Sequence, residues 1–250
     1  MTIFKIACQI LSLLILIAIP VFYFVKFRKE KLFMKDVLWG FILYMAANLV
    51  RNLIGVNMPQ MDGIVGSLML ILLWSLTGAG IVATYILLRK YLIKSEISKN
   101  DHLIMGFGFV FLNVVQSIPV HISYIMISIS DMSGNGFDAV KNMLNTEDVA
   151  QVNLFLDQFR TITAAQFLEQ GLAVLLLGLI VTSMLVILKK YFDTDQRNKG
   201  IGIAVGMMIV FQGIGILLLA VQANAILALV IRVLVTAGIS YYAYKEYKTI

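Results

Sequence analysis

The chain has 250 residues, 60% of them hydrophobic and 14% charged, with a net charge of +6 and a mean hydropathy of +0.90. A soluble domain carries about 25% charged residues, so this balance excludes an ordinary soluble enzyme and indicates an all-α, polytopic membrane protein in contact with the lipid bilayer. The excess of bases gives no nucleic-acid reading, because the bases stand between hydrophobic runs, and the one cysteine, Cys8, allows no disulfide within the chain.

Seven apolar runs approach the roughly 20 residues that a spanning helix needs. They cover residues 4–25, 37–55, 64–88, 103–128, 171–188, 201–221 and 224–243, all within a single transmembrane domain, 1–250. Lys5 is the only early base and no small-x-small site follows the first run, so that run reads as a span rather than a cleaved leader. The fifth run is the shortest, with Phe167 and Leu168 available to extend it.

The linkers predict the orientation. Lys26, Arg28, Lys29, Lys31 and Lys35 follow the first run. Arg89, Lys90, Lys94 and Lys99 follow the third, and Lys189, Lys190, Arg197 and Lys199 follow the fifth. Lys245 and Lys248 close the chain, so fifteen of the twenty bases fall on one side. The other side holds Lys5, Lys141 and Arg160. The positive-inside rule then predicts seven spans with the N-terminus out and the C-terminus in. The long linker, residues 130–169, is extracytoplasmic on this reading and carries Asp131, Asp138, Glu147, Asp148, Asp157 and Glu169. Gly134 and Gly136 mark a turn within it. Beyond the turn, Val149, Val152, Phe155, Leu156, Phe159 and Ile162 recur at helical spacing. They predict an outer amphipathic helix, either lying on the membrane surface or covering an outward-facing cavity.

Most of the chemistry-bearing residues lie in the fourth run. Asn113, Ser117 and His121 follow one another at i+4 with Gln116 beside them, a polar stripe that must face protein or water. Ser117 and His121 are spaced for contact, which fits a nucleophile and its base or, more simply, polar packing between helices. Two histidines and no cysteine pair leave no zinc set, and no cofactor is implied. Gly200, Gly202 and Gly206 lack the preceding strand of a dinucleotide loop; Gly202-x-x-x-Gly206 predicts close helix packing in lipid instead. Arg232 stands about eight residues into the last run, roughly 12 Å deep at 1.5 Å per residue, and should face the bundle, with Glu169, Asn113 and Gln116 as acceptors. Arg51 reads as a snorkelling anchor. Inside the seven runs there is no carboxylate, unless Glu169 is counted at its boundary.

The order of features resembles one bacterial group. Pro20 and KFRKEK end the first span, AGI runs into RKYLIK at the end of the third, and Gly106-x-Gly108 opens the fourth. Leu168–Glu169 closes the long loop before a short fifth span. This layout resembles the YhfC-type, PrsW-related intramembrane proteases of bacteria, described as glutamic-type or metal-dependent. The resemblance would place their paired glutamates near Ala83 and Thr84, a histidine at Phe109, a glutamate at Asn113, and a further histidine near Leu177. Their His-x-x-x-Asp falls near Met207–Gln212, where neither residue occurs. The resemblance therefore implies the family scaffold without its hydrolytic groups, since Asn113 can orient a water but cannot take its proton.

Together these features predict a non-catalytic protein of the bacterial inner membrane that binds or regulates a membrane protein or peptide segment. The binding set is Asn113, Gln116, Ser117, His121 and Arg232, with no metal. If activity remains, His121 and Glu169 are its candidates, which keeps a residual intramembrane peptidase as one alternative. A transporter or permease subunit with Arg232 as an anion site is the other. No oligomeric state follows from the sequence.

Overall fold

The computed structural model describes residues 2–30, 33–57, 63–93, 99–146, 148–221 and 224–249. Lys31, Lys94 and Glu147, counted above among the linker charges, lie outside these residues, as does the side chain of Lys99. Among the described residues every regular element is helical. In chain order they are α1 (Ile3–Phe27), α2 (Phe33–Gly55), α3 (Gly63–Leu87, continued by a π-helical turn, Leu88–Leu92), α4 (Lys99–Met132), α5 (Gly136–Leu144), α6 (Val149–Thr161), α7 (Ala164–Asp193), α8 (Arg197–Ala220) and α9 (Ala225–Tyr247). All except α5 and α6 are long and apolar enough to cross a bilayer, so the chain is a multi-pass membrane protein with seven candidate spans.

The helices run beyond the apolar runs because polar residues cap and extend them. At the start of α7, Gln166 N–H donates to Thr163 Oγ1 at 3.3 Å and Thr163 N–H donates to Gln166 Oε1 at 2.7 Å, a reciprocal capping box. This seats seven residues ahead of the expected fifth run, and the helix is 30 residues long. Asp148 caps α6 through Ala150 N–H at 2.9 Å, and Asn224 caps α9 through Ile226 N–H at 2.9 Å. The extensions also bring acids into the helices. Asp36, Asp101 and Asp131 are all helical, and Asp36 and Asp101 are only 3% and 6% exposed. The apolar runs stop just short of each of these residues, which is why the runs themselves hold no carboxylate.

The contacts divide the chain into two compact units. The first comprises Met1–Phe22 and Asn113–Leu175, the second Tyr23–Leu112 and Leu176–Ile250. In the second unit, glycine lets helix backbones touch. A Cβ added to Gly40 of α2 would overlap the Met105 carbonyl oxygen and lie 2.6 Å from Phe109 N. One added to Gly108 of α4 would overlap the Val37 carbonyl oxygen. At one end of this unit the polar groups are paired. Tyr85 and His102 join through Oη and Nε2 at 2.7 Å, Arg89 and Lys189 reach Asp193 at 2.9 and 2.7 Å, and Lys190 pairs with Glu246. The basic linker residues that predict orientation thus also tie helix ends together.

In the first unit, α5 and α6 close over the ends of α4 and α7. Val140 of α5 and Val152, Leu156 and Phe159 of α6 are buried with Ile127 and Phe167. Tyr124, Phe159 and Phe167 form an aromatic cluster with ring centroids 5.4–6.1 Å apart. The amphipathic helix expected from Val149 onward is present, and the face carrying Val152, Leu156 and Phe159 is buried against protein. Each of these side chains gains about 1.5–3 kcal/mol by burial. Gly134, at φ +85°, makes the turn between α4 and α5 that its residue type predicts.

Candidate functional site

In the first unit, α1 and α4 meet through polar side chains in an otherwise apolar contact. On α1 the buried residues Gln9, Ser12, Leu16 and Ile19 follow a helical stripe. On α4 the inward face carries Val114, His121, Ile127 and Ser128. His121 is 6% exposed and both its ring nitrogens are engaged. Nδ1 lies 2.8 Å from the Ser117 carbonyl oxygen, which only accepts, so Nδ1 carries a proton. Nε2 lies 2.9 Å from Ser12 Oγ and, in the neutral ring, accepts the serine proton. The carbonyl therefore orients the imidazole, and the imidazole orients the hydroxyl.

This is the ground-state arrangement of a serine and its general base, yet the serine is enclosed. Ser12 is wholly buried, and Gly171 of α7 packs directly on it. A Cβ at Gly171 would overlap Ser12 Oγ and lie 2.6 Å from Ser12 O. The α7 backbone thus lies directly against the hydroxyl. As it stands, the pair can clamp helices but has no room for an acyl group.

The expected site residues separate. His121 is buried, and the backbone carbonyl of Ser117 holds it. Asn113 and the Ser117 side chain are half-buried, whereas Gln116 is exposed and so lies off the inward face that carries His121. Glu169 is half-buried and lines an open cleft of about 380 Å³ with Ile162, Gln166, Gln170 and Ala173. Arg232 belongs to the second unit. Its guanidinium carbon lies 5.2 Å from the Phe211 ring centroid, and its Nε is 3.5 Å from the position of a Cβ on Gly215, so α8 offers it a cation–π face. Arg51 has a similar place against Trp74, at 5.6 Å.

Sequence reasoning missed Ser12 and Gln9. The available signal was small: two polar residues three apart, hence on one face, in a run that is otherwise almost wholly apolar. It also missed the ties at the end of the cap. Lys5 Nζ donates to the Arg160 carbonyl oxygen at 2.8 Å, and Arg160 Nε donates to Asp131 Oδ1 at 3.1 Å. The Asp131 carboxylate beside it raises the Arg160 guanidinium above its ordinary value.

Comparison with protein-family models, with curated proteins and with solved structures finds no match.

Proposed function

We propose that this chain is a bacterial inner-membrane protein, N-terminus out and C-terminus in, that binds a membrane-embedded segment of another protein or a peptide without cleaving it. The observation that carries this reading is Gln116. It stands at the midpoint of the span Asn100–Met132 and is exposed. Polar side chains on the surface of a spanning helix are a recurrent means of hydrogen bonding between helices, so the exposed mid-span position of Gln116 suits contact with a second membrane-embedded segment. Val115, Pro119 and Val120 share the exposed surface. Pro119 has no N–H to give, so the Val115 carbonyl four residues earlier loses its usual helical donor. An amide and an under-bonded carbonyl on one helix face form a small polar recognition patch in an apolar surface.

A second reading, a residual serine-type peptidase, has the Ser12–His121 contact in its favour. The enclosure of Ser12 by Gly171 argues for the non-cleaving form, as a scaffold of YhfC type that keeps its shape and lacks the family's acids and histidines. A photo-crosslinking residue in place of Gln116, in native membranes, distinguishes the possibilities. Discrete adducts to a membrane protein are expected at position 116 and not at the lipid-facing Ile122. Labelling of lipid alone at both positions would remove the binding reading. Reconstitution with single-span substrates tests the other arm: proteolysis that Ser12→Ala or His121→Ala abolishes would establish the peptidase in its place.

A further inference from the structure

Two features of the first unit play no part in that reading. Gln9 is 1% exposed, and among the described residues neither its amide nitrogen nor its amide oxygen has a hydrogen-bond partner. The Ser128 hydroxyl is also fully buried and without a partner. Both sit on the faces that carry the Ser12–His121 contact: Gln9 three residues before Ser12 on α1, and Ser128 seven residues after His121 on α4.

The two helices run antiparallel here, because the start of α1 and the end of α4 reach the same residue. Lys5 donates to the Arg160 carbonyl, and the Arg160 side chain donates to Asp131. The Arg160 side chain is 50% exposed, so this rim meets solvent. From Ser12–His121 toward the rim, a rise of 1.5 Å per residue sets Gln9 about 4.5 Å along and Ser128 about 10 Å along. Lys5 lies about 10 Å along α1 and Asp131 about 15 Å along α4 on the same scale. Polar atoms therefore recur at steps of about 5 Å from the charged rim to the imidazole. Two hydrogen bonds of about 2.8 Å through one water span such a step. Buried polar groups without protein partners are where proteins hold internal water.

We propose that Gln9, Ser12 and Ser128 line a file of bound water that opens at the Lys5–Asp131–Arg160 rim and ends at the Ser12 hydroxyl, which His121 holds. Water is the ligand: it donates to and accepts from the Gln9 amide, meets the Ser128 hydroxyl, and donates to the lone pair that Ser12 Oγ keeps free of its bond to His121. The lipid-facing sides of α1 and α4 stay dry. The file rests on the inward faces of the two helices and does not depend on what binds at Gln116.

Accessibility of single cysteines tests it. In a Cys8→Ala background, Gln9→Cys and Ser128→Cys are compared with the lipid-facing Ile122→Cys and Met126→Cys. The probe is a small cationic methanethiosulfonate applied to both faces of the membrane. The inward positions are expected to react on the order of ten-fold faster than the lipid-facing pair, as thiolates form only where water reaches. Equal or slower reaction at both inward positions overturns the file. A second measurement uses no thiol. Gln9→Leu replaces the amide with an apolar group of similar length. If water satisfies the amide, the melting midpoint should fall by about 2–4 °C. A rise in the midpoint would mean that the amide is buried dry, and would overturn the proposal independently.

Discussion

The two units of this chain each offer a different close contact between spanning helices. In the second, backbone lies against backbone: Gly40 against Met105 and Phe109, and Gly108 against Val37. Such contacts have no side chain able to move aside. In the first unit the helices meet through Ser12, His121, Asp131 and Arg160, and an extramembrane cap covers their ends. Hydrogen-bonded contacts can admit water or re-pair. The difference teaches that one chain can seat spanning helices both by direct backbone contact, as at Gly40 and Gly108, and by side-chain hydrogen bonds, as at Ser12–His121.

The strongest way to break that comparison is Gly40→Ala. One methyl group there overlaps the Met105 carbonyl oxygen, and backbone cannot rotate away as a side chain does. Overpacking of this kind costs about 1–3 kcal/mol and sometimes more, and the backbone partner puts Gly40→Ala at the upper end. The expected outcome is a lowered unfolding midpoint in detergent and poor recovery of the folded protein. A Gly40→Ala variant that melts like the parent would mean that α2 and α4 are not held by direct backbone contact.

A smaller effect is expected in the first unit from Arg160→Ala. The Asp131 side chain is only 4% exposed, so loss of the guanidinium takes a charged donor from a nearly buried carboxylate. Hydrogen bonds to charged groups contribute about 1.5–3 kcal/mol, and the half-exposed arginine argues for the lower part of that range. The cap should loosen while the spans hold, so protease should cut between residues 133 and 163 before any global unfolding. Adding Asp131→Asn removes the carboxylate's charge and should restore part of the protection. Unchanged protease resistance in Arg160→Ala would show that apolar burial alone fixes the cap.

The spans were readable from the sequence because the bilayer demands a quantity that sequence displays directly, a length of apolar chain. Their ends were not, because helix ends are decided by caps. Thr163 and Gln166 extend α7 well ahead of the apolar run, and Asp101 lies in the first turn of α4 although it belongs to no hydrophobic pattern. Of the candidate site, the i+4 stripe showed which residues of α4 are neighbours along the helix, but helical spacing does not say what each face meets. Gln116 differs from Ser117 by one position, a turn of about 100° about the axis, and that is enough to move it from the protein side to the exposed side. Ser12, the partner of His121, is distant in sequence and came to light only through the contact itself.

Gly202-x-x-x-Gly206 shows the same limit, and it offers the most delicate test of the comparison. The pattern predicts a helix packed close, and the second unit does use glycine in that way at Gly40 and Gly108. Among the described residues, however, nothing lies within 4 Å of a Cβ added at Gly202 or Gly206. Gly202 and Gly206 of α8 are therefore open where Gly40 of α2 and Gly108 of α4 are closed. Gly206→Ala should leave stability unchanged or raise it by up to about 1 kcal/mol, the helix-propensity difference between the two residues. The larger Gly206→Leu should be equally silent, because a side chain pointing into lipid displaces no protein. The measurement is a pair of detergent melts beside that of Gly40→Ala. A clear destabilisation by Gly206→Leu but not by Gly206→Ala would require another chain in the groove at the depth of a leucine side chain. Steric packing would then operate between molecules as well as within the second unit.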